Sequence, residues 1–295
     1  MKLGSEEHKE LFCRSFIASH LSYEPETLPW PQLDGVALQR LRSIPFWREA
    51  IRTERQAGLM VNAFAATADD PLLREAIALQ GQEESRHGRL IEYLVQYYEI
   101  PIAEPPPVTE PTNIKTAFID FGFGECLDSF FAFGLFEIAR QSHYFPDGLF
   151  AIFNPVLDEE ARHIMFFVNW LTYAQIQQGQ QAKWQRDIHA LWHYRAALLD
   201  KIQAFTGSEE DKQEQFTATG AENFMDNLTP ARFLYTCLEE NARRLSSFDS
   251  RLLQPRLMPN LARIALPVLK LLPSKKPHKE SISSIIHDEE EKSLY

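Results

Sequence analysis

The sequence predicts an all-α protein, a four-helix bundle with extra helices at both ends. Three observations carry this. Only 12 glycines occur in 295 residues, few for a chain built from sheet and tight turns. Apolar residues recur at spacings of three and four over long stretches, the period of an amphipathic helix. The cluster Glu-Glu-x-Arg-His appears twice, at residues 83–87 and 159–163, each time in the second of two helical stretches joined by a short turn.

The elements follow in order. Residues 1–45 read as an N-terminal extension: a short amphipathic helix, the Pro-rich turn "YEPETLPWPQ", and a short helix over Leu33–Ile44. From residue 46 an unbroken helical pattern runs to "DDP", where Asp70 fits an N-cap and Pro71 the first turn of a helix reaching about Ile100. "PIAEPPPVTEPTN" (101–113) is a stiff connection whose length suits a crossover along a bundle. A third long helix is expected over Ile114–Gln141 and a fourth over Leu149–Gln178. Residues 46–178 therefore form the expected bundle. Residues 179–272 read as C-terminal helices packed on it, near 181–205, 221–248 and a broken one near 256–272, with "TGSEEDKQEQ" as a solvated loop. Residues 273–295 are polar and charged, the composition of a flexible tail.

Composition narrows the functional classes. A net charge of −11 argues against nucleic acid, which demands a basic footprint. Cys13, Cys126 and Cys237 are widely spaced, so no structural zinc site is expected and a reducing cytosol is. The N-terminal stretch lacks the apolar core of a signal peptide, and no apolar run is long enough for a transmembrane segment. The expected location is cytoplasmic. His189 and His193 are spaced i, i+4, but no acid completes an HExxH pattern, so they read as a packed or surface pair. Residues 257–276 are apolar and then basic. Their prolines break a regular amphipathic helix, so packing on the bundle is the expectation rather than a membrane contact.

The two clusters are costly to place in an interior unless they do something there. Residues i and i+3 share a helix face, so Glu84 and His87 point together, as do Glu160 and His163. Each pair offers one hard oxygen and one imidazole nitrogen to a metal ion. Two ions would need further carboxylates from the other two helices. On the first helix, Glu54 lies closer than Glu49 to the depth of Glu84, counted from the turn. On the third, Glu125, Asp128 and Glu137 are candidates. Depth slightly favours Asp128, and the small apolar neighbours in "FGFGECL" favour Glu125.

The order Glu54, Glu84-x-x-His87, Glu125, Glu160-x-x-His163 resembles the ferritin-like, carboxylate-bridged di-iron superfamily. The separations of 30 and 35 residues resemble its oxygen-activating branch. The resemblance covers about 46–178 and implies a ferritin-like four-helix bundle. It favours Glu125 over Asp128. It implies that Glu54 and His87 serve one iron ion, that Glu125 and His163 serve the other, and that Glu84 and Glu160 bridge. In bacterial multicomponent monooxygenases and ribonucleotide reductase small subunits, an acid directly before the ExxH glutamate hydrogen-bonds the histidine of the opposite helix. Glu83 and Glu159 stand there in this chain, although Asp is usual. Arg86 and Arg162 match the monooxygenase "ExRH" pattern and would balance those acids.

The implied activity is an O2-dependent oxidase or monooxygenase. It would use two iron ions, or manganese with iron, on a small, apolar organic substrate. Its partners would be an electron donor such as a ferredoxin or reductase and, compatibly, a second copy in a homodimer. Iron storage or detoxification and a non-catalytic metal- or ligand-binding role are the alternatives, and the long extensions argue against a storage cage. Phe121, Phe123, Phe130, Phe131, Phe133 and Phe136 could line an apolar pocket, but filling the core is the more economical reading. Gly122, Gly124 and Gly134 are expected to make room for a substrate or a close helix crossing.

Overall fold

The computed structural model describes residues 1–180, 182–206 and 229–271, with side chains at all of these except 196–206. The predicted loop after residue 206, the first part of the predicted 221–248 helix and the tail from 273 lie outside the described residues. All regular structure among the described residues is helical. The helices are α1 (Glu6–Ala18), α2 (Gly35–Arg42), α3 (Trp47–Ala66), α4 (Pro71–Tyr97), α5 (Ile114–Gln141), α6 (Asp147–Gln177), α7 (Lys183–Thr206), α8 (Pro230–Leu245) and α9 (Leu257–Leu271), with a single 3-10 turn at Pro25–Thr27. Among the described residues, no helix is long and apolar enough to cross a membrane.

Helix starts are set by side chains that satisfy otherwise orphaned amides. Asp70 accepts from the N–H groups of Leu72 and Leu73, with Pro71 at the first position of α4. Asn113 caps α5 through the Thr116 N–H, and Thr229 caps α8 through that of Arg232. Asp70 also pairs with the half-sequestered Lys9 of α1, which fixes that helix to the start of α4.

α3 lies along α4, and α5 along α6. α3 also touches α5, and α4 touches α6, so the four long helices share one interior. α1 covers α4 and α6, α7 and α8 lie on α5, and α9 leans on α8 and α5. The α3–α4 crossing is close. A Cβ on Gly58 would meet Ser85 Oγ at 2.4 Å, and one on Gly81 would meet Asn62 Oδ1 at 2.6 Å. That pairing sets Glu54 against Gly88, one position from His87.

Two apolar clusters divide the interior. One gathers Met60, Val61, Phe64, Ile77, Phe118, Ile164 and Phe166, and the other Trp47, Leu90, Leu94, Phe150 and Ile152. On α3, α4 and α6 the predicted ligands fall between residues of the first cluster and residues of the second. Apolar residues therefore lie on both sides of a polar layer, whose edge at Glu54 is partly exposed.

The Phe side chains of α5 are packed. Phe130 and Phe133 are fully buried, Phe131 stacks on Phe233, Phe136 meets Phe150 edge-on, and Phe123 lies between Phe167 and His193. The glycines divide. Gly122 leaves room for the Phe167 ring and Gly134 for the crossing of α8, whereas a Cβ on Gly124 would meet nothing within 4 Å. The element near 256–272 differs from expectation. It is one continuous helix despite Pro267 in its interior, and only its Met258, Pro259 and Ala262 edge is buried.

These glycines give a paired prediction. Gly134→Ala places a methyl 2.3 Å from Cys237 Sγ and 2.9 Å from its backbone, so α8 must shift. We expect a loss of about 1–3 kcal/mol, the usual cost of overpacking. Gly124→Ala should stabilise by up to about 1 kcal/mol through helix propensity alone. Urea denaturation of both variants checks the opposite signs.

Candidate metal centre

The two Glu-Glu-x-Arg-His clusters face one another in the interior. His87, from α4, directs Nε2 at Glu159 Oε2 of α6, 2.8 Å away. His163, from α6, directs Nε2 at Glu83 Oε2 of α4, also at 2.8 Å. Each acid is closed by the arginine next to the histidine it binds: Arg86 pairs with Glu159, and Arg162 with Glu83. Glu83 and Glu159 have no exposed surface. A buried carboxylate held by an imidazole and a guanidinium is satisfied on both oxygens, which is the condition for keeping its charge there.

This crossed pairing turns both Nδ1 atoms inward. Glu160 places Oε1 3.1 Å from His87 Nδ1 and Oε2 3.4 Å from His163 Nδ1. Glu84 mirrors it, with Oε1 3.1 Å from His163 Nδ1 and Oε2 3.8 Å from His87 Nδ1. Each of these glutamates therefore spans both imidazoles. Glu54 Oε2 lies 3.7 Å from His87 Nδ1. Glu54, His87 and Glu160 form one group whose ligand atoms all fall within 4.8 Å, and Glu84, Glu160 and His163 form a second that shares Glu160.

Glu125 belongs to neither of these groups of ligand atoms, but its carboxyl feels the same charges. Burial and the charges of Glu160, Glu84 and Asp128 hold the Glu125 carboxyl well above the usual range. Asp128 is thus close by on the same helix. Glu137 and Glu49 are elsewhere, paired with Arg140 and Arg52.

The charge states follow from the packing. Burial raises Glu54 to about 7, with Glu84 and Glu160 adding to the rise and His87 opposing it. Burial would lower both histidines, but the carboxylates around them dominate and hold both well above 6.5. Burial would likewise raise Glu160, and the histidines hold it well below 4.5. Without a cation, this layer keeps its charge only by sharing protons.

The polar atoms test whether a cation fits. His87 Nδ1, His163 Nδ1 and Glu160 Oε2 are buried and meet one another and the neighbouring carboxylates without hydrogen-bond geometry. Such atoms are expensive unless something else satisfies them. Deprotonated, the four carboxylates Glu54, Glu84, Glu125 and Glu160 beside two neutral imidazoles would carry four negative charges, the number that two divalent cations cancel, while Glu83–Arg162 and Glu159–Arg86 cancel internally. Oxygen and imidazole donors suit several divalent cations, zinc, iron and manganese among them.

Two further residues complete the surroundings, both from the turn after α1. His20 Nδ1 lies 2.6 Å from Glu83 Oε1, and the Tyr23 hydroxyl donates to Glu159 Oε2 at 3.1 Å. Arg162 reaches the Ser19 carbonyl, and Arg86 lies over the Tyr23 ring. The sequence gives no sign of these contacts, because they join residues 63 and 136 positions apart. His189 and His193 are away from this layer. Their rings are 4.5 Å apart, beside Phe123, and His193 contacts Asp120.

No family model matches the chain, and no curated protein or solved structure is similar to it.

The crossed pairs make an acid-stability prediction. Glu83 would be raised by burial, but His163 and Arg162 lower it to about 2 from 4.5. A depressed carboxyl contributes stability above its unfolded value and loses it as pH falls through the folded one. Wild-type protein should therefore lose roughly 3 kcal/mol from this group between about pH 4.5 and 2. Glu83→Gln should lack that limb and be less stable at neutral pH, with Arg162 left unpaired. Denaturation midpoints across pH measure both.

Proposed function

We propose that this chain is a ferritin-like four-helix bundle holding a dinuclear iron centre, and that it is an O2-dependent oxidoreductase acting on a small, apolar organic substrate. The observation that carries the reading is the pair of buried, unbonded Nδ1 atoms, each fixed by a carboxylate of the opposite helix and each faced by the same two spanning glutamates. Glu54 and His87 would hold one ion, Glu125 and His163 the other, and Glu84 and Glu160 would lie between them. Iron in its reduced state supplies the electrons that activate O2 for oxidation of an organic molecule.

The chain's own groups do the rest. Glu83 and Glu159 fix the imidazole tautomers by accepting the Nε2 protons, which leaves the Nδ1 lone pairs free to hold cations. The Gln80 side-chain amide donates to Glu84 Oε1 at 3.2 Å and sets the plane of that carboxylate. Glu54, half-buried at the edge of the layer and raised to about 7, would give up its proton to take a cation. The apolar clusters above and below limit water, which protects a reactive centre from wasteful turnover.

Apo protein given ferrous iron anaerobically should bind two ions per chain by elemental analysis and show an added charge-transfer absorbance after exposure to air. Glu84→Ala and His163→Ala should each abolish two-ion binding, and unchanged metal content in both variants would sink the model. With reductant present, O2 uptake should yield an oxygenated or dehydrogenated organic product by mass spectrometry. Mineralised iron in large assemblies would instead mark a storage protein.

Protons compete with metal, so affinity should rise as pH increases through about 7, the value to which Glu54 is raised. Proton release in calorimetry with buffers of different ionisation enthalpy measures it.

The turn after α1 should act on one ion at a time. Tyr23→Phe loosens Glu159 and so the His87 ion; His20→Ala loosens Glu83 and so the His163 ion. Each should weaken one step of a two-step binding isotherm by up to about tenfold, the lower end for outer-layer partners. Equal weakening of both steps by either variant would contradict this assignment.

A further inference from the structure

α9 presents an apolar stripe to solvent. Leu261, Ile264, Val268 and Leu271 recur at spacings of three and four and so lie on one side of the helix. They are 43%, 72%, 61% and 85% exposed, far beyond what scattered surface leucines require. The opposite edge, at Met258 and Ala262, is buried against Leu127 and Phe130 of α5.

A line of basic residues runs beside the stripe. Arg256, Arg263 and Lys270 are seven apart, two helical turns each, and all three are exposed. Among the described residues, Arg263 reaches only the Asn260 side chain of its own helix. In a chain of net charge −11, residues 250–279 contain no acid, and the sequence continues past α9 with Lys275, Lys276 and Lys279. α7 also exposes Trp184, Ile188, Leu191 and Trp192, but its charges are of both signs, Lys183 pairing with Asp187, and select no partner charge.

We propose that α9 docks this protein on an anionic lipid surface, with Leu261, Ile264, Val268 and Leu271 entering the headgroup–acyl boundary and Arg256, Arg263 and Lys270 meeting lipid phosphates. An exposed apolar stripe flanked by one sign of charge is the signature of a helix lying in a bilayer interface. Long basic side chains can lay their stems along the apolar boundary while their heads reach phosphate. A second copy fits poorly. A two-fold interface sets the patch against itself and brings Arg263 and Lys270 of both copies together. The inference rests on α9 alone and is independent of the metal centre.

The test is co-sedimentation of the full chain with phosphatidylcholine vesicles, with and without phosphatidylglycerol. Binding to the phosphatidylglycerol vesicles is expected, weaker at high salt. Ile264→Asp with Val268→Asp should reduce it by at least about tenfold, and Arg263→Glu with Lys270→Glu several-fold. Circular dichroism should be unchanged in both, since all four side chains are exposed. Three results would each overturn the proposal: no binding to either vesicle, binding that ignores the Ile264 and Val268 changes, or a solution dimer that those changes split into monomers.

Discussion

The interaction on which this structure depends is the crossed pairing of each histidine with a glutamate on the opposite helix. His87 with Glu159, and His163 with Glu83, join α4 to α6 twice across the middle of the molecule. Each pair alone would leave a carboxylate oxygen bare in an apolar interior. Arg86 and Arg162 supply the missing donors, and they do so from the same helix turns as the histidines. Both carboxylates are fully buried, so the geometry is unforgiving: removing any one partner strands a charge where water cannot reach it. That explains why one five-residue pattern occurs twice. Neither copy is satisfied within its own helix.

The rest of the fold can be read as support for this layer. Gly58 and Gly81 let α3 and α4 approach until Glu54 comes within reach of His87. α1 lays Phe16 beside His163 and under Arg162, closing that flank with an apolar ring. The turn that follows α1 then adds His20 to the arginine-facing oxygen of Glu83 and Tyr23 to the histidine-facing oxygen of Glu159. α6 is held from its other side by α8, where Arg244 reaches Asp158 and Asn154. Even the far end of α6 is tied down, through Asn169, which accepts from the Leu253 N–H and donates to its carbonyl while contacting His8.

Much of this was legible in the sequence because it is local. Helical period, capping residues and the i, i+3 spacing of Glu84 with His87 are properties of one helix each, and the helix over Ile114–Gln141 is found at those bounds. Glu54 was reachable because two helices joined by a short turn have nearly fixed register. Glu125 was harder. Depth measured from the turn favoured Asp128, the resemblance favoured Glu125, and the compact groups of ligand atoms among the described residues include neither. His20 and Tyr23 were invisible for a physical reason: a Pro-rich turn has no period, so nothing in it tells which side chain faces inward. The helix through Pro267 was misjudged because one proline removes one hydrogen bond, a cost that a continuous turn on either side can absorb.

The inner layer and the outer pairs pull stability in opposite directions. Glu83 and Glu159 are fully satisfied and favour the fold. Glu54, Glu84, Glu125 and Glu160 crowd like charges into the same interior, which raises Glu54 and Glu125 and leaves Glu160 Oε2 and both Nδ1 atoms without hydrogen bonds. Such a layer is a liability in a protein selected for stability alone; apolar residues of the same volume would serve better. It is intelligible if cations replace the shared protons, because metal binding then becomes part of the folding free energy. On that argument the outer pairs keep their geometry with or without metal and hold the ligands in place, while the inner carboxylates gain their stability from what they bind. The crossed arrangement lets one fold carry both: a frame of Glu83, Glu159, Arg86 and Arg162 that fixes the two histidines, around a centre that the frame alone does not satisfy.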